Sequence, residues 1–277
     1  MPMTRRQVLR GAAAGLVAAT AARAEKVHNK AVHFEIEHVD VTLSGLDPAH
    51  DGLKVAQLSD IHIGIGTPDG RVIAALEAVE REKADVLVLT GDYITWKPDP
   101  VERVGQLIAL RKKVPTFAVL GNHDHWTYPK DLRTQLEHAD VTVLQNEHTV
   151  TRINGAPFTF FGIDDQHSGH QDVDATFKGS TAGGSSLVLA HTPVSIRSLP
   201  EDRGLFCLSG HTHGGSVYLP SITPRVFTIA GQPYVRGHYD VGGNRLYVNR
   251  GLGFGGILLG PRVASPPEVT ILTLRRG

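Results

Sequence analysis

A single cysteine, Cys207, stands among the 277 residues, so no disulfide can close within the chain. It lies in the apolar run Leu205-Phe206-Cys207-Leu208 and reads as a buried, inert packing group with no catalytic role. Charge imbalance is missing too: 28 basic residues meet 28 acidic ones. A nucleic-acid binder normally carries a basic excess, so no nucleic-acid partner is indicated. No apolar run reaches the roughly 20 residues that a spanning helix needs. With 41% hydrophobic and 20% charged residues the chain is also not polar enough to stay disordered. Its length suits one large domain with a real core.

What is present begins with an address. Thr4-Arg5-Arg6-Gln7-Val8-Leu9-Arg10 leads into an Ala- and Gly-rich apolar stretch over residues 11–22, and Ala22-Arg23-Ala24 has the small-x-small form of a cleavage site. Basic, apolar and cleavage regions in that order describe a signal peptide, and the paired arginines resemble the twin-arginine export signal. The expected organisation is a signal over residues 1–24 and one domain over residues 25–277. The expected location is the periplasm or cell envelope, with the twin-arginine export machinery as a transient partner. The alternative is a segment that stays attached as a tether. Residues 1–24 hold four arginines and no acid, so cleavage leaves 24 basic and 28 acidic residues and a formal charge of −4.

Beyond the address, strand and helix signals alternate. Residues 32–43 alternate apolar and polar positions, with a bulge or phase shift near His38. Residues 53–58, 86–89 and 116–120 read as strands, and residues 69–83, 101–110 and 130–138 as helices. This alternation implies βαβ units and a largely parallel sheet. The second half is richer in strand signals, at residues 141–144, 149–153, 158–161, 187–189, 205–208, 245–248 and 269–274.

Five of these strands run into polar clusters: Ser59-Asp60-Ile61-His62, Thr90-Gly91-Asp92, Gly121-Asn122-His123-Asp124, Ala190-His191-Thr192 and Gly210-His211-Thr212-His213. Ligand groups in α/β sheets collect beyond the carboxyl ends of strands. Each cluster alone is a weak signal, because Asp92 could cap a turn and a lone His is usually a surface or core residue. Five metal-capable clusters in one context are hard to explain as unrelated caps. In an extended segment, residues i and i+2 face one side, which would let Asp60 and His62 reach one ion. Oxygen and nitrogen donors without thiolate suit Mn, Fe or Zn.

Taken in order, Asp60-x-His62, Gly91-Asp92, Gly121-Asn122-His123-Asp124, His191 and Gly210-His211-x-His213 resemble the signature of the calcineurin-like metallophosphoesterase family. The tail, with Asn249-Arg250-Gly251 and Pro266-Pro267-Glu268-Val269, is similar to its bacterial exported phosphodiesterase branch. Ser216 departs from that branch, which often has Gln after the last Gly-Gly. The resemblance implies an α/β fold, a four-layer αββα sandwich with two mixed central sheets. It implies two metal ions: Asp60, His62, Asp92 and His213 around the first, Asp92, Asn122, His191 and His211 around the second, with Asp92 bridging. It makes His123 a catalytic histidine that protonates the leaving group. Asp124 is then either its orienting partner or a loop cap. The implied reaction is hydrolysis of a phosphodiester or pyrophosphate by metal-bound hydroxide, with a lipid- or envelope-linked substrate among the options. The alternatives are a phosphomonoesterase and a non-catalytic metal-binding scaffold. His167, His170 and Arg250 could each touch substrate, but a surface or structural role is the commoner one for such residues. His125 and Trp126 read as a pocket wall or as helix packing.

Overall fold

The computed structural model describes residues 32–64, 67–96, 100–180, 184–254 and 262–277. Residues 1–24, the expected signal, lie outside the described residues. The chain divides into two units, Met1–His33 and Phe34–Gly277, and the sheets and the candidate site belong to the second.

Twelve strands pair into two six-stranded sheets. The first takes β1 (Glu35–Leu43), β2 (Lys54–Leu58), β3 (Val86–Thr90), β4 (Thr116–Val119), β5 (Val141–Val143) and β12 (Glu268–Arg276), in the order β1-β12-β2-β3-β4-β5. β2 to β5 run parallel, β12 lies antiparallel to β2, and β1 lies parallel to β12. The second takes β6 (Glu147–Ile153), β7 (Ala156–Ile163), β8 (Ser186–Ala190), β9 (Phe206–Ser209), β10 (Gly237–Val241) and β11 (Asn244–Val248), in the order β10-β11-β9-β8-β7-β6. Its four inner strands are parallel, and each edge strand is antiparallel. Both sheets are therefore mixed.

The period-2 alternation of the strands makes the layers. Leu87 and Leu89 of β3 enter one core with α1 (Asp69–Arg81), α2 (Val101–Ile108) and α4 (Pro129–His138), whereas Val86 and Val88 enter another. That second core lies between the sheets, where Phe117 and Val119 meet Phe158, Phe160, Leu187, Phe206 and Leu208. The outer face of the second sheet, with Val188, Ala190 and Cys207, packs on Ile196, Leu199 and the side of α5 (Val173–Phe177). Three cores separate four layers, helix–sheet–sheet–helix.

β1 settles the question near His38. Its register with β12 is unbroken from Glu35 to Leu43, so no bulge exists. Phe34 and Ile36 pack toward the helical core, and Val39, Val41 and Leu43 toward the core between the sheets. The apolar set changes face because the strand leaves one core for the other. β10 and the short helices α3 (Asn122–Trp126), α5 and α6 (Thr223–Ile229) were not expected from the sequence.

Phe160 stacks on Phe117 across the two sheets at 3.9 Å between centroids. Phe160→Ala should cost about 3–5 kcal/mol, read as a fall in urea midpoint at constant m, because a buried ring leaves a cavity behind. Val150→Ala, at a position 60% exposed, should stay within about 0.5 kcal/mol of the parent.

Candidate metal centre

The carboxyl ends of β2, β3 and β4 in one sheet, and of β8 and β9 in the other, open on the same place. The first sheet supplies Asp60, His62, Asp92 and Asn122. The second supplies His191, His211 and His213. Two groups of donors converge there: Asp60, His62 and His213, and Asp92, His191 and His211. In the first, the His213 Nε2 lies 3.3 Å from Asp60 Oδ1 and 3.2 Å from His62 Nε2. In the second, Asn122 Oδ1 lies 3.2 Å from His191 Nε2 and 2.8 Å from His211 Nδ1. Asp92 stands between them, with Oδ2 3.7 Å from His62 Nε2 and 3.2 Å from His191 Nε2.

The backbone reaches this arrangement by an unexpected route. Asp60, His62, Asp92, His211 and His213 all have φ between 48° and 69°, the left-handed region. The i, i+2 spacing therefore does not work through an extended strand, and the alternation argument for Asp60 and His62 is replaced by a sharply turned loop. Asp and His tolerate this region better than most residues, yet each position costs on the order of 1 kcal/mol or more.

Glycines give the loops room to approach. A Cβ on Gly121 would lie 2.2 Å from Asp92 Oδ1, and one on Gly210 would lie 2.2 Å from Asp60 Oδ2. Asp124 then locks the loop. Its carboxylate accepts from the backbone N–H of Asp92 and of Gly121 at 2.8 Å each, and from that of Tyr93 at 2.9 Å. His123 instead donates from Nδ1 to the Thr95 carbonyl at 3.0 Å. Asp124 is thus placed as the loop clamp, not as the orienting partner of His123. A second tie, Gln57, donates from Nε2 to Thr90 Oγ1 and to the Ser209 carbonyl, joining the two sheets beside the site.

Electrostatics fit a cation. Burial pushes His62 down to about 4 and His211 down to about 3, and it pushes His213 well below its ordinary value. These imidazoles are unprotonated at neutral pH, the form that binds metal. Burial, with the Asp92 charge adding and His191 opposing, lifts Asp60 up to about 6. Burial acts to raise Asp92 as well, but the charge and hydrogen bond of His191 outweigh it and hold the carboxyl far below the usual range. His191 is the counterpart: burial lowers it, yet Asp92, then Asp60 and Asp165, hold it well above its ordinary value. The two carboxylates thus attract positive charge at this point, the role a divalent ion would take. Seven buried or half-buried oxygen and nitrogen donors, with no sulfur, suit a hard or borderline divalent metal. One contact opposes this set. Arg262 Nη2 donates to His213 Nδ1 at 3.0 Å, so Nε2 offers its lone pair only when that guanidinium turns away.

Around the donors stands a partly aromatic rim. Trp96 and Trp126, the two tryptophans of the chain, lie edge-on to His123 at 5.8 and 5.2 Å and are 43% and 55% exposed. His167 sits 5.1 Å from the His211 ring and 5.7 Å from Trp126. It therefore borders the site, the less favoured of the two roles its sequence position allowed. The strand-end rule favours that role, since Asp164, Asp165 and His167 follow the carboxyl end of β7. Both acids brace that loop: His125 Nε2 bonds Asp164 Oδ1 at 2.6 Å, and Thr192 Oγ1 and the Ser168 N–H donate to Asp165. His170 stacks on His125 at 4.0 Å, and Arg250 pairs with Glu268, Glu37 and Glu35, so these two are structural.

A buried cluster of imidazole and carboxylate donors at the ends of two facing sheets defines a metal-binding α/β protein. Residues 53–215 match the calcineurin-like phosphoesterase family, and the chain belongs to it. A metallophosphoesterase of Bacillus subtilis (strain 168), YkuE, is 31% identical over 99% of this chain and 98% of its own length. The phosphodiesterase YaeI of Escherichia coli (strain K12) is 30% identical over 80% of this chain and 82% of its own. The UDP-2,3-diacylglucosamine pyrophosphatase LpxG of Chlamydia trachomatis is 26% identical over 80% and 83%. The protein is a metal-dependent phosphoester hydrolase.

Gly121→Ala should weaken Mn2+ binding at least tenfold by titration calorimetry, because the added methyl must displace the Asp92 carboxylate. Unchanged affinity would show that Asp92 is not a ligand.

Proposed function

We propose that this protein is an exported phosphoesterase that uses two metal ions to hydrolyse a phosphodiester or a pyrophosphate in the periplasm or cell envelope. One observation carries the dinuclear reading: Asp92 Oδ2 lies within 3.7 Å of His62 Nε2 and 3.2 Å of His191 Nε2, between two separate donor groups. Asp60, His62 and His213 would hold one ion, Asn122, His191 and His211 the other, and Asp92 would bridge. When bound, such ions supply Lewis-acid charge that draws in phosphate oxygens and lowers the pKa of a water. Export is supported by the sequence of residues 1–24 alone.

His123 is the proton donor in this reading. Its Nδ1–H is committed to the Thr95 carbonyl, which orients the ring and leaves Nε2 to carry the mobile proton. Protonated there, it donates to the departing oxygen. The two exposed indoles beside it offer a surface for the leaving alcohol or the second ester substituent. That favours a diester or pyrophosphate over a small monoester, as do the phosphodiesterase and pyrophosphatase among the relatives.

Initial rates of the metal-loaded protein on matched chromogenic substrates test the reaction. A phosphodiester should turn over faster than the corresponding phosphomonoester. The reverse order makes the protein a phosphatase, and turnover of neither, with both ions bound, points to a larger specific substrate or revives the metal-binding scaffold. His123→Ala should keep its metal content and lose roughly 10²–10⁴-fold in kcat for an alkyl leaving group. The loss should shrink for p-nitrophenolate, which needs no proton to depart; an equal loss for both removes the acid role.

A further inference from the structure

Between Asp202 and Asp240 the chain holds no acidic residue over 37 positions, although 28 acids are spread over 277 residues. The same interval carries Arg203, Arg225 and Arg236. It is also where exposed apolar side chains gather. Of ten exposed large hydrophobics among the described residues, five lie here: Val217, Leu219, Ile222, Val226 and Ile229, the last 87% exposed. Ile222, Val226 and Ile229 stand at i, i+4 and i+7 along α6 and the residue before it, so they share one face, and that face points to solvent.

This segment is built to hold those side chains outward. It leaves the metal centre directly after His213-Gly214-Gly215. Its base is closed by Tyr218 N–H to the Val263 carbonyl and Val263 N–H to the Ser216 carbonyl, both 2.9 Å. Thr223 Oγ1 accepts from the Leu219 N–H and donates to the Val217 carbonyl. The Arg236 guanidinium lies over the Tyr218 ring at 3.4 Å. An apolar stripe held in place by hydrogen bonds, and exposed to water, marks a contact surface.

We propose that residues 217–229 dock on the surface of an anionic phospholipid bilayer. The charge pattern selects that occupant. Arg225 is exposed on the same short helix as the stripe, Arg236 flanks its base, and no carboxylate in the interval repels lipid phosphate. Apolar residues on one face with basic residues at its margin are what an interfacial helix requires. A two-fold pair of these helices would bring Arg225 of one copy toward Arg225 of the other. The inference does not depend on the reaction at the metal centre.

The test is a local label on the full chain. Ile229→Cys carries an NBD fluorophore. Cys207 stays unlabelled, because it is buried and burial pushes its thiol up to about 12. On phosphatidylcholine vesicles containing 30% phosphatidylglycerol, emission should shift to the blue and rise at least twofold. On pure phosphatidylcholine the apparent affinity should be at least tenfold weaker, and Arg225→Glu should weaken binding to the anionic vesicles by a similar factor. A label at Ile222→Cys should respond in the same way, which guards against one position perturbing the helix. Unshifted emission while the protein sediments with vesicles would assign membrane contact to residues 11–22 and overturn the proposal. Emission already blue in buffer, or blue only as protein concentration rises, would give the face to this chain's own apolar segment or to a second copy, and would overturn it as well.

Discussion

The arrangement of this molecule turns on one electrostatic problem: two buried aspartates and four imidazoles converge in two groups whose ligand atoms lie within 4.8 Å of one another, and the carboxylates draw positive charge between them. Burial and the Asp92 charge lift Asp60, while His191, Ser59 and the His211 N–H oppose that rise. Against the same burial, His191 followed by His62 and His123 holds Asp92 low. Left-handed backbone at five ligand positions adds strain. A divalent metal would offset the carboxylate charge, which ties metal binding to the stability of the folded site.

Holding such a cluster open requires a frame that cannot collapse around it. The core between the sheets supplies this. Phe117, Phe158, Phe160 and Phe206 fill it, and they fix the spacing of strands whose ends carry the donors. Gln57 and Asp124 finish the job at the rim. Gln57 joins β2, β3 and the end of β9 through its amide. Asp124 collects backbone N–H groups from the loops after β3 and β4, and burial together with the neighbouring Asp92 lifts its carboxyl up to about 7. Its effect is local: it sets where Asp92 points and leaves the His123 ring to the Thr95 carbonyl.

Legibility in the sequence followed the physics of each feature. The donors were readable because each follows an apolar strand, and strands buried on both faces are written as short continuous runs such as Val86-Leu87-Val88-Leu89. The two-sheet layering was not, since alternation within such a run says that both faces are buried and not against what. The left-handed turns at Asp60 and His62 were also hidden, because Asp-x-His fits an extended strand equally well. His167 ranked as a substrate contact only behind a surface role, for a different reason. It contributes no metal-typical spacing, and only the β7 strand end, read together with Asp164 and Asp165, places it beside His211.

Candidate donors and rim residues thus come from different parts of the chain. The donors sit on strand ends locked by glycines, clamps and two sheets, and their geometry leaves little room for variation. Trp96, Trp126, His167 and the strap over residues 217–229 sit on loops that extend from the same strand ends, with their side chains turned to solvent. Nothing in the donor geometry depends on whether those side chains are indole, imidazole or aliphatic. In this chain the rim pairs aromatic walls at His123 with an acid-free, outward-facing apolar strap. Indole and aliphatic side chains thus stand exposed on the segments that leave the donor strands.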